Sequence, residues 1–304
     1  MSDIKLFKIN DNQVTAIEGQ SVAIERSLQT LLEKHLEEFL GVRLLKSEYQ
    51  TGKTHGGRID TLGLDENDCP VIIEYNRALN ENVINQGLYY LDWLLDHKGE
   101  FTLLVQKHFT PKLTEEDIGW RGARLLCIAG EFTKYDEYAI QQIDRNIELI
   151  RYRRYGKELL LLELVNASYG SVEETGGTPK TSSRTSESTV TEKLAKASTE
   201  VKDRFESLKA FPQALGDDVE IQTLKNYFAF KRIKNFASVE VHPQTSKIVV
   251  FTKSDFKDVH LEEGFPRDVR NIGHFGTGDL EITIGSDDDL ERAKPLIVRS
   301  YEKN

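Results

Sequence analysis

The residues of this chain whose types and spacing suit chemistry lie in one short window. It runs from His55 through Arg58 and Asp60 to Leu62, and, after Asp65-Glu66-Asn67-Asp68, from Val71 through Glu74 and Tyr75 to Asn76 and Arg77. The apolar runs on either side of that polar turn read as two strands. Side chains alternate across a strand, so Glu74 and Asn76 share one face while Tyr75 and Arg77 share the other. Glu74 breaks into an apolar run, where an unpaired carboxylate is costly to bury. Two carboxylates from adjacent strands, converging on one face, can bind a divalent metal through oxygen ligands. Spacing alone leaves a second reading open, in which Asp60 and Glu74 are edge-of-sheet charges paired with Arg58 and Arg77. His55, five residues before Asp60, either touches a phosphate or is simply a solvated loop residue.

The elements that must position this window follow from hydrophobic periodicity. Ile24, Leu28, Leu31, Leu32, Leu36, Phe39 and Leu40 recur at helical spacing and predict a helix over about 22–40, ending at Gly41. Strands are predicted at 42–49, 58–64 and 70–75, and a helix from Val83 to Leu95. Further strands are expected at about 101–107 and 124–129, a helix near 135–145, and strands at about 147–155 and 158–165. The order α-β-β-β-α-β with additions implies an α/β fold, a mixed sheet flanked by helices. Between residues 168 and 190, 14 of 23 residues are Ser, Thr or Gly. Such a segment buries too little apolar surface to offset its ordering entropy, and it reads as a flexible linker. The chain thus divides into a domain at 1–167, the linker at 168–190 and a small α+β domain at 191–304. The last is expected to hold a helix at 192–211, strands near 226–231, 236–242, 246–252 and 280–284, and a helix at 287–301 whose acidic start suits the helix dipole.

At this point residues 20–165 resemble the PD-(D/E)XK nuclease superfamily, most closely its RecB-like and NucS-like endonuclease branch. The marks are Gly57-Arg58-Ile59-Asp60-Thr61-Leu62, then Val71-Ile72-Ile73-Glu74-Tyr75, then Asn85-Gln86-Gly87-Leu88-Tyr89-Tyr90. Gln86 and Tyr90 are four apart and so share a helix face. The resemblance implies a restriction-endonuclease-like α-β-β-β-α-β core and a metal-dependent DNA endonuclease that hydrolyses phosphodiester bonds in repair, restriction or phage defence. It implies Mg2+ (or Mn2+) on Asp60, Glu74 and the backbone carbonyl of Tyr75, with Gln86 and Tyr90 supporting the metal-bound water or the phosphate. The carboxylate contributed by the first helix is assigned to Glu33 in preference to Glu37 or Glu38. Arg58, His55 and Arg77 are the expected nucleic-acid contacts, DNA is the expected partner, and a homodimer is consistent with cutting both strands. One departure stands out: the catalytic lysine of the family falls at position 76, where this chain has Asn76. Asparagine donates a hydrogen bond but carries no charge, and losing one preorganised donor costs roughly 3–4 kcal/mol of transition-state stabilisation. Arg77 points to the other face. An engineered substitution, a lysine supplied from elsewhere such as Lys53, and a catalytically inactive nucleic-acid-binding pseudonuclease are the three explanations. Residues 201–304 resemble an uncharacterised domain attached to such nucleases, through Gly216-Asp217-Asp218-Val219, Lys234-Asn235-Phe236-Ala237 and Arg267-Asp268-Val269.

Composition bounds these readings. With 304 residues, 38% hydrophobic and 30% charged, the chain is ordinary globular material. No run approaches the roughly 18 apolar residues of a membrane span, and Met1 to Asn10 lacks an apolar signal core, so neither a membrane nor a secreted protein is expected. Cys69 and Cys127 are too few for a disulfide framework and suggest reduced thiols in the cytoplasm. The net charge of −10 argues against a general nucleic-acid coat, not against a local basic groove. Two weaker features lie in the second domain. Gly273 to Gly278 resembles a phosphate cradle but precedes a strand, which suits a turn. Lys225, Lys231, Arg232 and Lys234 interleave with Tyr227, Phe228, Phe230 and Phe236, which is either a base-stacking surface or core.

Overall fold

A computed structural model describes residues 4–11, 13–20, 26–52, 56–75, 83–109, 111–170, 189–253 and 265–304. The chain forms two compact units, Met1–Val172 and Glu173–Asn304. In the first unit, a hairpin of β1 (Leu6–Asn10) and β2 (Gln13–Ile17) precedes the short β3 (Gly19–Gln20). The helices α1 (Arg26–Lys34) and α2 (Leu36–Leu40) lead into β4 (Val42–Gln50), β5 (Arg58–Asp65) and β6 (Pro70–Tyr75). Helices α3 (Val83–Asp96) and α4 (Lys98–His108) follow, then β7 (Arg124–Ala129), α5 (Lys134–Ile140), β8 (Asn146–Tyr155) and β9 (Leu159–Ser168).

Seven strands make one mixed sheet in the order β3-β8-β7-β6-β5-β4, with β9 on β8. The β4/β5 and β5/β6 pairs are antiparallel, whereas β6/β7 and β7/β8 are parallel. A tight turn suffices between β5 and β6, where Asp65 Oδ1 accepts the N–H groups of Asn67 and Cys69 at 2.8 Å each. Parallel neighbours need longer crossovers, which α3 with α4, and then α5, supply. Every residue of β6 and β7 is buried. Their unbroken apolar runs, instead of an alternation, follow from that two-sided burial.

In the first unit three predicted elements change, and the linker with them. The segment predicted as a strand at 101–107 is helix α4, with Phe101, Thr102 and Val105 buried. Its apolar run is short enough to suit either element, and only the helical spacing of 101 and 105 separates them. The helix predicted at 22–40 is broken at His35, whose φ of −123° is non-helical, and closes at Gly41 with φ of +64°; its residues 22–25 lie outside the described residues. The helix predicted near 135–145 stops at Ile140. The predicted linker is narrower at both ends: Ser168 closes β9 and its hydroxyl donates to the Ile143 carbonyl at 3.1 Å, while Thr189 caps a helix and Val190 is buried. Residues 171–188 of that linker lie outside the described residues.

The second unit has helices α6 (Val190–Lys196), α7 (Thr199–Gln213) and α8 (Asp287–Lys303). The helix predicted at 192–211 is split because Ser198 starts a new one, its hydroxyl accepting the Val201 N–H at 3.4 Å. The six strands β10 (Glu220–Thr223), β11 (Phe228–Lys231), β12 (Asn235–His242), β13 (Lys247–Thr252), β14 (Arg267–Asp268) and β15 (Leu280–Ile284) pair antiparallel in the order β10-β11-β12-β13-β15-β14. Phe228, Phe230 and Phe236 lie in its core. Lys231 is buried, and Arg232 bonds Asp218 beneath the Tyr301 ring. The phenylalanines, Lys231 and Arg232 of this stretch are therefore spent on packing and pairing, whereas Lys225 is exposed. The Gly273–Gly278 segment is a turn region strapped to β12: Ser238 Oγ donates to the Thr277 carbonyl and accepts its N–H. The described residues are thus of mixed α/β class, with one mixed sheet, one six-stranded antiparallel sheet and the β1–β2 hairpin.

Candidate functional site

Asp60 and Glu74 stand where β5 begins and β6 ends. The backbone register runs Leu64↔Pro70, Leu62↔Ile72, Thr61↔Ile73, which sets Asp60 opposite Glu74. Here the ladder continues through side chains: the Asp60 N–H donates to Glu74 Oε1, and the Tyr75 N–H donates to Asp60 Oδ2, both at 3.1 Å. The two carboxylates are 9% and 1% exposed. Each gains a charge-assisted bond from the other strand's backbone, so both are held rigidly at the ends of two inner strands of the sheet. Glu74 neighbours Cys127 on β7, whose thiol is driven above its ordinary range by burial and then by the Glu74 and Asp136 charges.

Helix α3 braces the same place. The Tyr90 hydroxyl accepts the N–H of Arg58 at 3.1 Å and the side-chain N–H of Gln86 at 3.2 Å. Gln86 and Tyr90 thereby fix the start of β5, two residues before Asp60. This close approach requires glycine at 57, since a Cβ there would stand 2.4 Å from the Tyr90 ring. Arg58 is exposed and reaches Glu48 at 3.5 Å.

Glu33 belongs to the other face. Its Oε1 accepts from the Thr61 hydroxyl at 2.6 Å and from Gln29 Nε2 at 3.1 Å, and Thr61 also stands 3.4 Å from the Tyr75 hydroxyl. Burial raises the Tyr75 phenol above its ordinary range, with the Thr61 bond opposing and the Glu33, Asp60 and Glu74 charges adding to the rise. Glu33 thus contacts strand β5 through Thr61 and is not gathered with Asp60 and Glu74. Glu37 and Glu38 lie exposed on α2, Glu38 against His35. His55, Asn76 and Arg77, like Lys53, lie outside the described residues.

Among the described residues, no group of three or more His, Cys, Asp and Glu side chains stands together as a metal cage. A hard cation such as Mg2+ needs no such cage, because it is commonly held by one or two carboxylates, its own waters and substrate phosphate. Two facing carboxylates with only oxygen donors fit that pattern.

Two residues of the site escaped sequence reasoning. Thr61 links Glu33 to Tyr75, and Glu48, opposite Asp60 in the ladder between Ser47↔Thr61 and Tyr49↔Ile59, holds Arg58. The alternation of β4 was a usable signal for Glu48. None marked Thr61.

Comparison with known proteins adds little chemistry. Residues 190–304 match the family described as a domain of unknown function (DUF5655). A protein of Haemophilus influenzae described as uncharacterized is 28% identical over 306 residues, covering 98% of this chain and 100% of its own length. No solved structure matches. No helix among the described residues is long and apolar enough to cross a membrane.

Proposed function

We propose that the first unit is a metal-dependent DNA endonuclease of the PD-(D/E)XK type, with a restriction-endonuclease-like core, working in the cytoplasm. The observation that carries this reading is the buried, mutually opposed pair Asp60 and Glu74 where β5 begins and β6 ends in a mixed sheet. The strand succession β4-β5-β6-β7, with two antiparallel junctions and then a parallel one reached through α3, supports the core expected from the resemblance. A bound Mg2+ (or Mn2+) would supply charge to the scissile phosphate and an activated water. Asp60 and Glu74 would hold that ion, together with the Tyr75 carbonyl. Tyr90 and Gln86 hold the start of β5 in place for it, and Arg58 contacts the phosphate backbone. A second copy of the chain would serve cleavage of both strands.

Asn76 favours a second reading, a pseudonuclease that binds nucleic acid without cutting it. Cleavage of single-stranded, duplex, mismatched and branched DNA, with Mg2+ or Mn2+, separates the two. Asn76→Lys is expected to raise the rate roughly 100- to 1,000-fold, and Asp60→Ala in that background to abolish it. Binding without cleavage by every variant would decide for the pseudonuclease, and neither binding nor cleavage would dismiss both.

A further inference from the structure

We infer that the outer edge of β9 is an interface between two copies of this chain, which pair antiparallel along Leu159–Leu164 and join their seven-stranded sheets. The inference stands apart from the nuclease reading and does not depend on any catalytic residue.

The argument begins with the two long outer strands of that sheet, β4 and β9. An edge strand presents unpaired backbone N–H and C=O groups, and proteins blunt such an edge with charge, bulges or a cover. β4 is blunted. Lys46 and Glu48 are exposed, the pairing with β5 is bulged between Leu44 and Lys46, and Glu48 takes φ of +49°. β9 is not. From Leu159 to Leu164 it runs in unbroken register with β8, opposite Tyr155 to Ile150, and five of those six residues are leucine. Among the described residues β8 is its sole strand partner. Leu159 is 48% exposed, and none of Leu160–Leu164 is fully buried. Glu163, the one charge in the stretch, is already matched, since its Oε2 accepts from Arg151 at 2.7 Å. Beyond Leu164 the register shifts and helix α5 takes over: Asn166 Nδ2 donates to the Glu137 carbonyl, and Gln141 Nε2 donates to the Ala167 carbonyl, both at 2.8 Å. The open stretch is therefore Leu159–Leu164.

Its occupant must be an extended segment with apolar side chains on both faces, because leucines alternate across both faces of β9. Residues 173–188, which follow in the chain, contain no aliphatic or aromatic residue and cannot cover leucine. The β9 strand of a second copy has the required character, and a two-fold contact lets one patch serve both partners. Antiparallel self-pairing about Leu161 or Leu162 sets leucine against leucine. In both registers Glu163 faces a leucine of the other copy and never its own counterpart, so no like charges lie directly opposite.

The test compares the full chain with Leu160→Glu. That substitution places a carboxylate on the open edge, opposite Arg154 of its own sheet, a cross-strand pairing that favours the folded monomer. Sedimentation equilibrium over a concentration series should show a dimer for the parent and a dimer weakened at least roughly 100-fold for the variant. Amide hydrogen exchange is followed beside it. In the parent, exchange at 159–164 should slow at least about tenfold as the dimer forms, while the Leu160→Glu chain keeps its monomer rates at every concentration. A parent that stays monomeric overturns the inference, whether its β9 amides exchange freely or are protected within one chain. A dimer that forms with no change in exchange at 159–164 also overturns it, and so does a Leu160→Glu chain that dimerises as tightly as its parent. Because the exchange measurement is made on the parent, the inference is decided even if the variant fails to fold.

Discussion

The two ends of the seven-stranded sheet carry the same residue types in opposite arrangements. At the turn end, Asp65 and Glu148 are 2% and 1% exposed, and the guanidinium of Arg124, 4% exposed, lies against both. Cation and carboxylates there neutralise one another, and Asp65 also caps the β5–β6 turn. At the other end, Asp60 and Glu74 oppose each other across β5 and β6 and take backbone N–H groups. Carboxylates with an arginine between them close a fold. Asp60 and Glu74 are instead held by backbone N–H groups of the facing strand, and the nuclease proposal takes that pair as the holders of a cation.

The comparison is broken most directly by removing charge at each end. Arg124→Met leaves Asp65 and Glu148 buried without their cation, and chemical denaturation should record a loss of roughly 3–5 kcal/mol. Glu74→Gln keeps an acceptor for the Asp60 N–H and removes one of two facing charges, so its stability should hold within about 1 kcal/mol of the parent or rise. Equal losses would mean that Asp60 and Glu74 are structural too. Calorimetric titration with Mn2+ sharpens the contrast, since Glu74→Gln should weaken binding by at least about tenfold, equivalent to roughly 1.4 kcal/mol, whereas Arg124→Lys should leave it intact.

A smaller effect is expected from Tyr90→Phe. It strips the acceptor from the Arg58 N–H, and unfolding should register a loss of about 1–3 kcal/mol. If instead stability is untouched while Mn2+ binding falls, Tyr90 acts on the site and not on the strand. The Cys127 thiol gives the smallest and most pH-specific signal. Its folded value is raised, so the stability that it contributes is complete below the ordinary thiol range. As pH climbs above about 9, the unfolded chain ionises while the folded one does not, and stability falls. Cys127→Ala should flatten that alkaline decline, and a slope unchanged by the substitution would locate the effect elsewhere, Tyr75 being the next candidate.

Much of this was legible in the sequence. The apolar runs at 58–64 and 70–75, separated by Asp65-Glu66-Asn67-Asp68, fixed two strands and their turn almost to the residue, because two-sided burial and turn chemistry are local signals. The helix bearing Gln86 and Tyr90 was as plain, its apolar residues recurring at helical spacing. The pairing of Asp60 with Glu74 also followed, since a short hairpin leaves its register little freedom. Local pattern failed where two elements suit one run: residues 101–107 are apolar enough for either, and packing of Phe101 and Val105 in the core selected the helix. It failed again at Glu33, where helical spacing placed a carboxylate on the first helix but could not tell which face of the sheet that helix would cover. Only the tertiary structure set Glu33 on Thr61, Tyr90 on the Arg58 backbone and Arg124 between Asp65 and Glu148. Each of those contacts joins residues more than 20 positions apart, and no local periodicity encodes a distance of that kind.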